Sequence, residues 1–249
     1  MAAAFDLCGK KGLVIAIAND QSIAYGCAVA FKRSGADIAI TYADAKAEPY
    51  VRPLAEALHA SMILPCDVRV NGQLESVFDQ IKTRWGKLDF LLHAIGGPKE
   101  EVQGRLVDCS LSGFQSAMDI ACHSFIRMAK HAEPLMTAGG SMTTVSFLGA
   151  ERVVEGFGVT GPSKAALECA VKYLAIELGG SGIRVNAISP TAVATRASAV
   201  SKEFDQRLPG RAPVAIGDVG DVAAFLASDA SKRIAGEVFH VDCGYHVLG

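Results

Sequence analysis

The sequence comprises 249 residues, of which 50% are hydrophobic, and its 24 Lys and Arg residues nearly balance its 26 Asp and Glu residues, giving a formal net charge of -2. A chain of this length and apolar content can bury a core of its own, so we predict one globular domain over residues 1–249. Because the charge is small and the basic residues are scattered, the sequence lacks the electrostatic signature of a nucleic-acid or anionic-membrane partner. It favours small, weakly charged ligands instead.

The cysteine pattern and the apolar runs indicate a cytoplasmic protein. The seven cysteines are an odd number with no CxxC pair, which is typical of free thiols in a reducing compartment. No apolar run reaches the roughly 18 to 20 residues that a membrane-spanning helix needs. The N-terminal "MAAAFDLCGKKG" lacks the long apolar segment of a signal peptide.

Short β-branched runs alternate with stretches of helical period along the whole chain. The predicted strands are "GLVIAIA", "DIAITY", "SMILPCDV", "LDFLLHAIG", "SMTTVSF", "IRVNAIS" and "EVFHV". The predicted helices begin near Ser22 and at "PYVRPLAEALHA", then cover about 73–85, 111–136, 160–178 and 218–228. Seven strands separated by six helical segments predict an α/β fold, a Rossmann-type doubly wound sheet of about seven parallel strands with helices on both faces.

One irregular stretch is long enough to cover a ligand. Residues 189–213 are rich in Ala, Ser and Thr, with a possible short helix at "SKEFDQRL". Long loops inside a compact domain are often functional. We therefore predict a substrate lid around 189–213.

The loop after the first strand, "AIANDQSIAYG", is the expected cofactor loop, because ligands of such sheets bind beyond the carboxyl ends of the strands. A helix starting near Ser22 would present free amides and a positive dipole end to a pyrophosphate. Ser22 is equally consistent with an ordinary N-cap. The loop has no GxGxxG, since Ala16 and Ala18 stand where glycine is common and only Gly26 suits close helix-to-strand packing. Taken alone, this signal is weak.

A resemblance emerges from motifs spread over nearly the whole chain: "SIAYG", "CDV", "HAIG", "SFLGAER", "SKAALE", "GIRVNAIS", "DVGDVAAFL" and "GEVFHVDCGY". Together they resemble the short-chain dehydrogenase/reductase superfamily, most closely its enoyl-acyl-carrier-protein reductase branch. "SIAYG" and "SFLGAER" are specific to that branch, whereas "NAIS" and "VDCGY" occur across the superfamily.

The resemblance implies residues that surround a dinucleotide. Ser22 and Ile23 would contact the pyrophosphate and ribose, Asp67 and Val68 the adenine, Ala94, Ile95 and Gly96 one side of the nicotinamide, and Val193 and Thr195 the other. Asp67 alternatively caps the next segment, and Ile95 and Val193 alternatively belong to the core. Where this chain has Ala16 the family usually has glycine, and an alanine fits there if its φ is negative.

The end of the second strand bears on the choice of cofactor. In "ITYADAK", the carboxylate of Asp44 can bond ribose hydroxyls and repel a 2'-phosphate, while Lys46 argues the other way. We predict NAD, with NADH favoured over NADPH.

The resemblance also locates the catalytic positions, counted from Lys164. In enoyl reductases a tyrosine precedes the lysine with six residues between them, which falls here on Phe157, and the second tyrosine falls on Phe147. The superfamily's more common spacing, with three residues between, falls on Thr160. Neither pattern has its phenol. The resemblance implies that Lys164 bonds the nicotinamide ribose, although a lone lysine is more often on a solvated helix face.

Reduction of a conjugated thioester or a ketone places negative charge on the carbonyl oxygen. A positioned phenol stabilises that charge, an effect of about two to four powers of ten in rate. The alternatives for holding that oxygen are the hydroxyls of Ser146 and Thr160, which are weaker acids than a phenol, the ribose 2'-hydroxyl anchored by Lys164, and water. His93 is read as a packing residue, and the histidines show no metal-ligand spacing, so we predict no catalytic metal.

Two functions follow. The first is an NAD(P)H-dependent oxidoreductase acting on an enoyl thioester or a related carbonyl substrate. The alternative is a catalytically impaired nucleotide-binding or regulatory homologue, favoured by the missing tyrosines. The helix "KAALECAVKYLAIELG", apolar on nearly every face, and the apolar C-terminus predict a symmetric oligomer, and the resemblance implies a homotetramer.

Overall fold

The computed structural model describes residues 5–96, 104–191, 193, 195 and 213–248. Within these ranges seven strands form one parallel sheet in the order β3-β2-β1-β4-β5-β6-β7. The strands are β1 (Lys11–Ile15), β2 (Asp37–Tyr42), β3 (Met62–Pro65), β4 (Phe90–His93), β5 (Gly140–Val145), β6 (Ile183–Pro190) and β7 (Val238–Val241). The predicted doubly wound fold is confirmed.

Each of the six connections carries helix, as predicted. The helices are α1 (Ile23–Arg33), α2 (Glu48–Ala57), α3 (Gln73–Trp85), α4 (Leu111–Met118), α5 (Ser124–Ala132), α6 (Thr160–Gly179) and α7 (Ile216–Ala227). The predicted continuous helix over 111–136 is wrong: a π turn at Asp119–His123 separates α4 from α5, and a 3-10 turn at Glu133–Leu135 follows. The π turn holds Ser124 against the end of β4, a contact that no local pattern encodes.

The core has two halves, one on each face of the sheet. Along β1, Leu13 and Ile15 point into the half under α3, α5 and α6, while Val14 points into the half under α1, α2 and α7. Because both faces are covered, the strands are continuous apolar runs rather than alternating ones. The carboxyl ends of the central strands are left as the edge at which side chains of several connections meet.

Gly26 packs against a helix, which corrects the predicted helix-to-strand contact. A Cβ on Gly26 would lie 2.4 Å from the carbonyl oxygen of Ile216, and one on Gly220 would lie 2.6 Å from the carbonyl oxygen of Gly26. The backbones of α1 and α7 therefore approach closely, and only glycine permits this. The contact fixes the first turn of α1 relative to the chain that follows the predicted lid.

Most of the predicted lid lies outside the described residues, which in this stretch include only 189–191, 193, 195 and 213. Where it is described, β6 continues to Pro190, and Val193 bridges Val214 in parallel. The lid stays a prediction. None of the described helices is both long and apolar enough to span a bilayer.

The cysteines are all free, as expected. Burial raises the pKa of the Cys27 thiol to about 12 and that of Cys66 to about 11. These two thiols are therefore inert packing groups at neutral pH.

Candidate cofactor and active site

Lys164 is buried, with only 5% of its surface exposed. Its Nζ donates to the carbonyl oxygen of Val145 at 2.8 Å, where β5 ends, and to that of Ile95 at 3.2 Å, just after β4. Burial lowers the pKa of its ammonium to about 8. The solvated-face alternative is therefore wrong. An ammonium has three protons, and these contacts use two of them. Among the described residues the third proton has no acceptor, so it is available to a ligand.

His93 ends β4 beside this lysine, and its hydrogen bonds determine its tautomer. The Ser124 hydroxyl donates to the carbonyl of Ile120 at 2.6 Å, so Nε2 of His93 donates to Ser124 Oγ at 2.9 Å. Nδ1 then accepts from the Thr144 hydroxyl at 2.8 Å. Burial and the Lys164 charge hold the pKa of His93 well below its usual value. A neutral ring with both nitrogens bonded has no proton to offer, in agreement with the packing interpretation.

Ser146, a predicted oxyanion donor, already has an acceptor. Its buried hydroxyl donates to Oε1 of Glu168, whose pKa is raised chiefly by burial. Sequence reasoning did not single out Glu168. The available signal was its position four residues after Lys164, on a helix stripe that also carries Leu167 and Val171.

Phe147 and Phe157 are brought together, with ring centroids 4.8 Å apart and planes tilted by 33°. The Phe157 ring is 38% exposed and lines a cleft of about 490 Å³ formed by residues 149–158 and the start of α6. Neither ring has a hydrogen-bond donor. Thr160, the first residue of α6, has its Oγ1 shielded from solvent and without a partner among the described residues.

The loop after β1 turns through Ala16 with a φ of +70°. The condition stated for alanine at this position, a negative φ, is therefore not met. The conformation is maintained by Thr41, whose Oγ1 accepts from the Ala16 amide and whose carbonyl accepts from the Ile17 amide, both at 3.0 Å. A left-handed conformation costs a non-glycine residue about 1–2 kcal/mol.

We expect Ala16→Gly to raise the free energy of unfolding by about 0.5–1 kcal/mol, because glycine adopts this φ without a clash but loses more chain entropy on folding. Urea denaturation measures the change. Ala18→Gly is the matched control: Ala18 has a negative φ, so glycine there should be neutral or destabilising. An Ala16→Gly protein no more stable than the wild type would contradict the strain argument.

Ser22 occupies the N-cap position of α1, but its side chain does not cap the helix. Its hydroxyl instead donates to the carbonyl of Asn19 at 2.7 Å. The amides of the first turn, beginning at the half-buried Ile23, keep no side-chain acceptor there. An uncapped helix start at the carboxyl edge of a parallel sheet suits a phosphate.

Asp67 is engaged within its own turn. Its carboxylate accepts from the Arg69 amide at 3.0 Å and pairs with the Arg69 guanidinium at 2.7 Å. These contacts agree with the alternative interpretation of Asp67, as a cap of the segment that follows it. Val68 is buried in the core, and its carbonyl accepts from Arg127. Contacts of Asp67 and Val68 with an adenine stay a prediction.

The remaining predicted cofactor residues follow β4 and β6. Ala94 and Ile95 are half-buried, Gly96 is exposed, Val193 is buried and Thr195 is half-buried. A side chain at Gly96 would meet open space. Thr191, which sequence reasoning missed, directly follows β6 and has a buried Oγ1 that lacks a partner in the described ranges.

These residues fit a dinucleotide. Within the described residues, the carboxyl edge of the sheet brings together uncapped helix amides, one ammonium proton, an unpaired buried hydroxyl and open space beside a glycine. That donor set matches phosphate, ribose hydroxyls and a carboxamide. No group of three or more His, Cys, Asp or Glu residues suited to a metal occurs in the same ranges.

Comparison with known proteins agrees with this chemistry. The family model described as enoyl-(acyl carrier protein) reductase matches residues 17–246. An enoyl-(acyl-carrier-protein) reductase (NADH) of Rickettsia felis is 42% identical, in an alignment that covers 97% of this chain and 96% of the relative.

Two solved structures extend the comparison. The enzyme of Anaplasma phagocytophilum in complex with NAD is 45% identical, with a TM-score of 0.93, covering 98% of this chain and 96% of that one. The enoyl-(acyl-carrier-protein) reductase (NADH) of Aquifex aeolicus is 41% identical, with a TM-score of 0.94, covering 98% and 99%. This chain therefore belongs to the enoyl-(acyl-carrier-protein) reductase family of the short-chain dehydrogenase/reductase superfamily.

Proposed function

We propose that this protein is an NADH-dependent reductase of 2-enoyl thioesters carried on acyl carrier protein. The observation that carries the proposal is Lys164, buried with its ammonium held between the ends of β4 and β5. When bound, NADH supplies the hydride. The protein's own task is to bind and orient the reactants and to stabilise charge on the substrate oxygen.

Two features of the chain would hold the dinucleotide. The uncapped first turn of α1 offers amides to the pyrophosphate, and the Lys164 ammonium offers its remaining proton to the nicotinamide ribose. Val193 and Thr195 would approach the nicotinamide from the β6 side.

The end of β2 favours NADH over NADPH. Asp44 is exposed there, and its carboxylate accepts from the amides of Lys46 and Ala47, both at 2.9 Å, in the turn that precedes α2. Arg69 is the nearby cation, close enough for the Asp44 charge to contribute to its raised pKa, but its guanidinium is already paired with Asp67. A 2'-phosphate would meet the Asp44 carboxylate, and the exposed Lys46 beside it would offset only part of that repulsion.

The test is a fluorescence titration with NADH, followed by NADH consumption with crotonyl-acyl carrier protein. Saturable binding and thioester-dependent oxidation are expected. Failure to bind NADH would reject the proposal outright.

A second candidate is a nucleotide-binding or regulatory protein without efficient chemistry. It is favoured by the absence of a donor on Phe147 and Phe157 and by the engagement of Ser146 with Glu168. NADH binding without turnover of any enoyl or keto substrate would place this candidate first.

We also propose a homotetramer in the cytoplasm. An apolar stripe on α6 (Ala165, Cys169, Tyr173 and Ile176) is exposed, with Tyr173 at 67% and Ile176 at 84%. A second copy of the chain would cover this stripe. Seven free thiols favour a reducing compartment.

Ile176→Asp is expected to shift the assembly toward smaller species, because a second copy that covers the stripe would desolvate the carboxylate. Size-exclusion chromatography with light scattering at micromolar concentration reads the change. Val70→Asp puts the same charge at an exposed apolar position before α3 and should leave the assembly intact. A wild type that is monomeric would contradict the proposal.

A further inference from the structure

Among the described residues at the carboxyl edge of the sheet, two buried hydroxyls lack a partner, those of Thr160 and Thr191, and of these two only Thr160 lies on α6 with Lys164. Phe147 and Phe157 have no donor, the Ser146 hydroxyl donates to Glu168, and both nitrogens of His93 are bonded. Thr160 differs, since its Oγ1 is hidden from solvent and finds no hydrogen-bond partner among the described residues. A buried hydroxyl without a partner destabilises a protein, and such groups in native structures call for a functional explanation.

The position of Thr160 suits a role toward the substrate. It begins α6, and it precedes Lys164 by four residues, so the two side chains lie on the same face one turn apart. Its amide donates to the carbonyl of Phe157 at 2.8 Å, which ties it to the ring pair. The positive dipole end of a 20-residue helix adds to the local field that favours negative charge.

We propose that the Thr160 hydroxyl, which is covered in this structure, is uncovered when the substrate binds and is then the donor that holds the thioester carbonyl oxygen, in place of the missing phenol. The inference rests on the proposed reductase function. Negative charge develops on that oxygen during reduction, and the hydroxyl stabilises it by a hydrogen bond while keeping its own proton. The donor has thus moved along the chain from position 157 to position 160, one helical turn from the lysine.

The decisive comparison is Thr160→Val, which removes the hydroxyl and keeps the shape, with Thr160→Ser as the matched variant that retains a donor. Without ligands, Thr160→Val should melt about 2–4 °C above the wild type, because a methyl group replaces an unpaired buried hydroxyl. With NAD⁺ and ¹³C-labelled crotonyl thioester, the carbonyl stretch should move to higher frequency in Thr160→Val and stay in place in Thr160→Ser.

Turnover gives the second comparison. Thioester reduction should fall about tenfold or more in Thr160→Val, with little change in Thr160→Ser and none in the dissociation constant of NADH. Adding Phe157→Tyr to Thr160→Val should restore the rate, because both donors serve the same oxygen.

The outcomes separate the two proposals. If the wild type reduces thioesters and Thr160→Val matches it in rate and carbonyl frequency, the Thr160 role is wrong and the reductase stands. The wild type could instead show no turnover but a shifted carbonyl frequency that Thr160→Val abolishes. The contact between Thr160 and the thioester would then stand, and the proposed reductase function would fail. A wild type that binds no thioester overturns both.

Discussion

Lys164→Met is expected to weaken NADH binding by an order of one to three kcal/mol, because it removes the charge-assisted hydrogen bond that we propose between the ammonium and the ribose. Methionine nearly matches the lysine stem in volume, so the helix and the core around it should persist. Fluorescence titration with NADH measures the loss. Lys172→Met changes an exposed lysine on the same helix and should leave binding unaltered.

The same lysine makes binding depend on pH. Its pKa in the free protein is about 8, so the side chain is a charged ammonium below that pH and a neutral amine above it. The dissociation constant of NADH should therefore be flat at lower pH and rise as pH increases through 8. Lys164→Met should show no such rise.

Stability should respond in the opposite sense. Burial lowers the pKa of Lys164 from 10.5 to about 8, so between these values the unfolded chain binds more protons than the folded one. The stability that the neutral amine allows is therefore fully present above pH about 10.5 and is lost as the pH falls through 8, where the buried amine takes up its proton. At pH 7 Lys164→Met should be more stable than the wild type, by an order of one to three kcal/mol, and the difference should shrink as pH rises. If Lys164→Met left both NADH binding and stability unchanged, neither the ribose contact nor the pH-dependent cost of burying the ammonium would stand.

Phe157→Tyr should raise enoyl-thioester reduction by roughly tenfold or more, since it restores a phenol at the position where the family spacing from Lys164 implies one. The ring at 157 is 38% exposed, and it rests on Phe147 at 4.8 Å, so the added oxygen finds room at the edge of the cleft. A thermal melt should accordingly show little loss. A tightly packed ring would instead give a loss of one to three kcal/mol.

Two controls isolate the phenol. Phe157→Leu removes the ring without adding a donor and should not gain activity. Phe147→Tyr adds a phenol to the neighbouring ring and tests whether position matters. Should Phe157→Tyr stay folded, bind NADH and gain nothing on enoyl or keto substrates, then the missing phenol did not limit the protein. If the wild type reduces thioesters, that result agrees with Thr160 as the donor; if the wild type is inactive, the regulatory candidate moves ahead.

Local pattern was sufficient for the architecture. The predicted helix over 73–85 coincides with α3 (Gln73–Trp85), and "DIAITY" coincides with β2. Such elements are encoded by the spacing of apolar residues along a few turns or pleats, and the alternation of strand and helix then leaves the doubly wound sheet as the fold. The same motifs located Lys164 and the two phenylalanines, because family motifs are contiguous in sequence.

The state of each site residue depended on partners that are distant in sequence. Ala16 adopts a positive φ because Thr41 of β2 holds the loop. The Ser146 hydroxyl is taken by Glu168, 22 residues away, and the Lys164 ammonium by Ile95, 69 residues away. Burial at the sheet edge, rather than any local motif, lowers the pKa of that ammonium. Desolvation and hydrogen-bond pairing are properties of the packed chain, so only the tertiary structure could show which hydroxyl remained available.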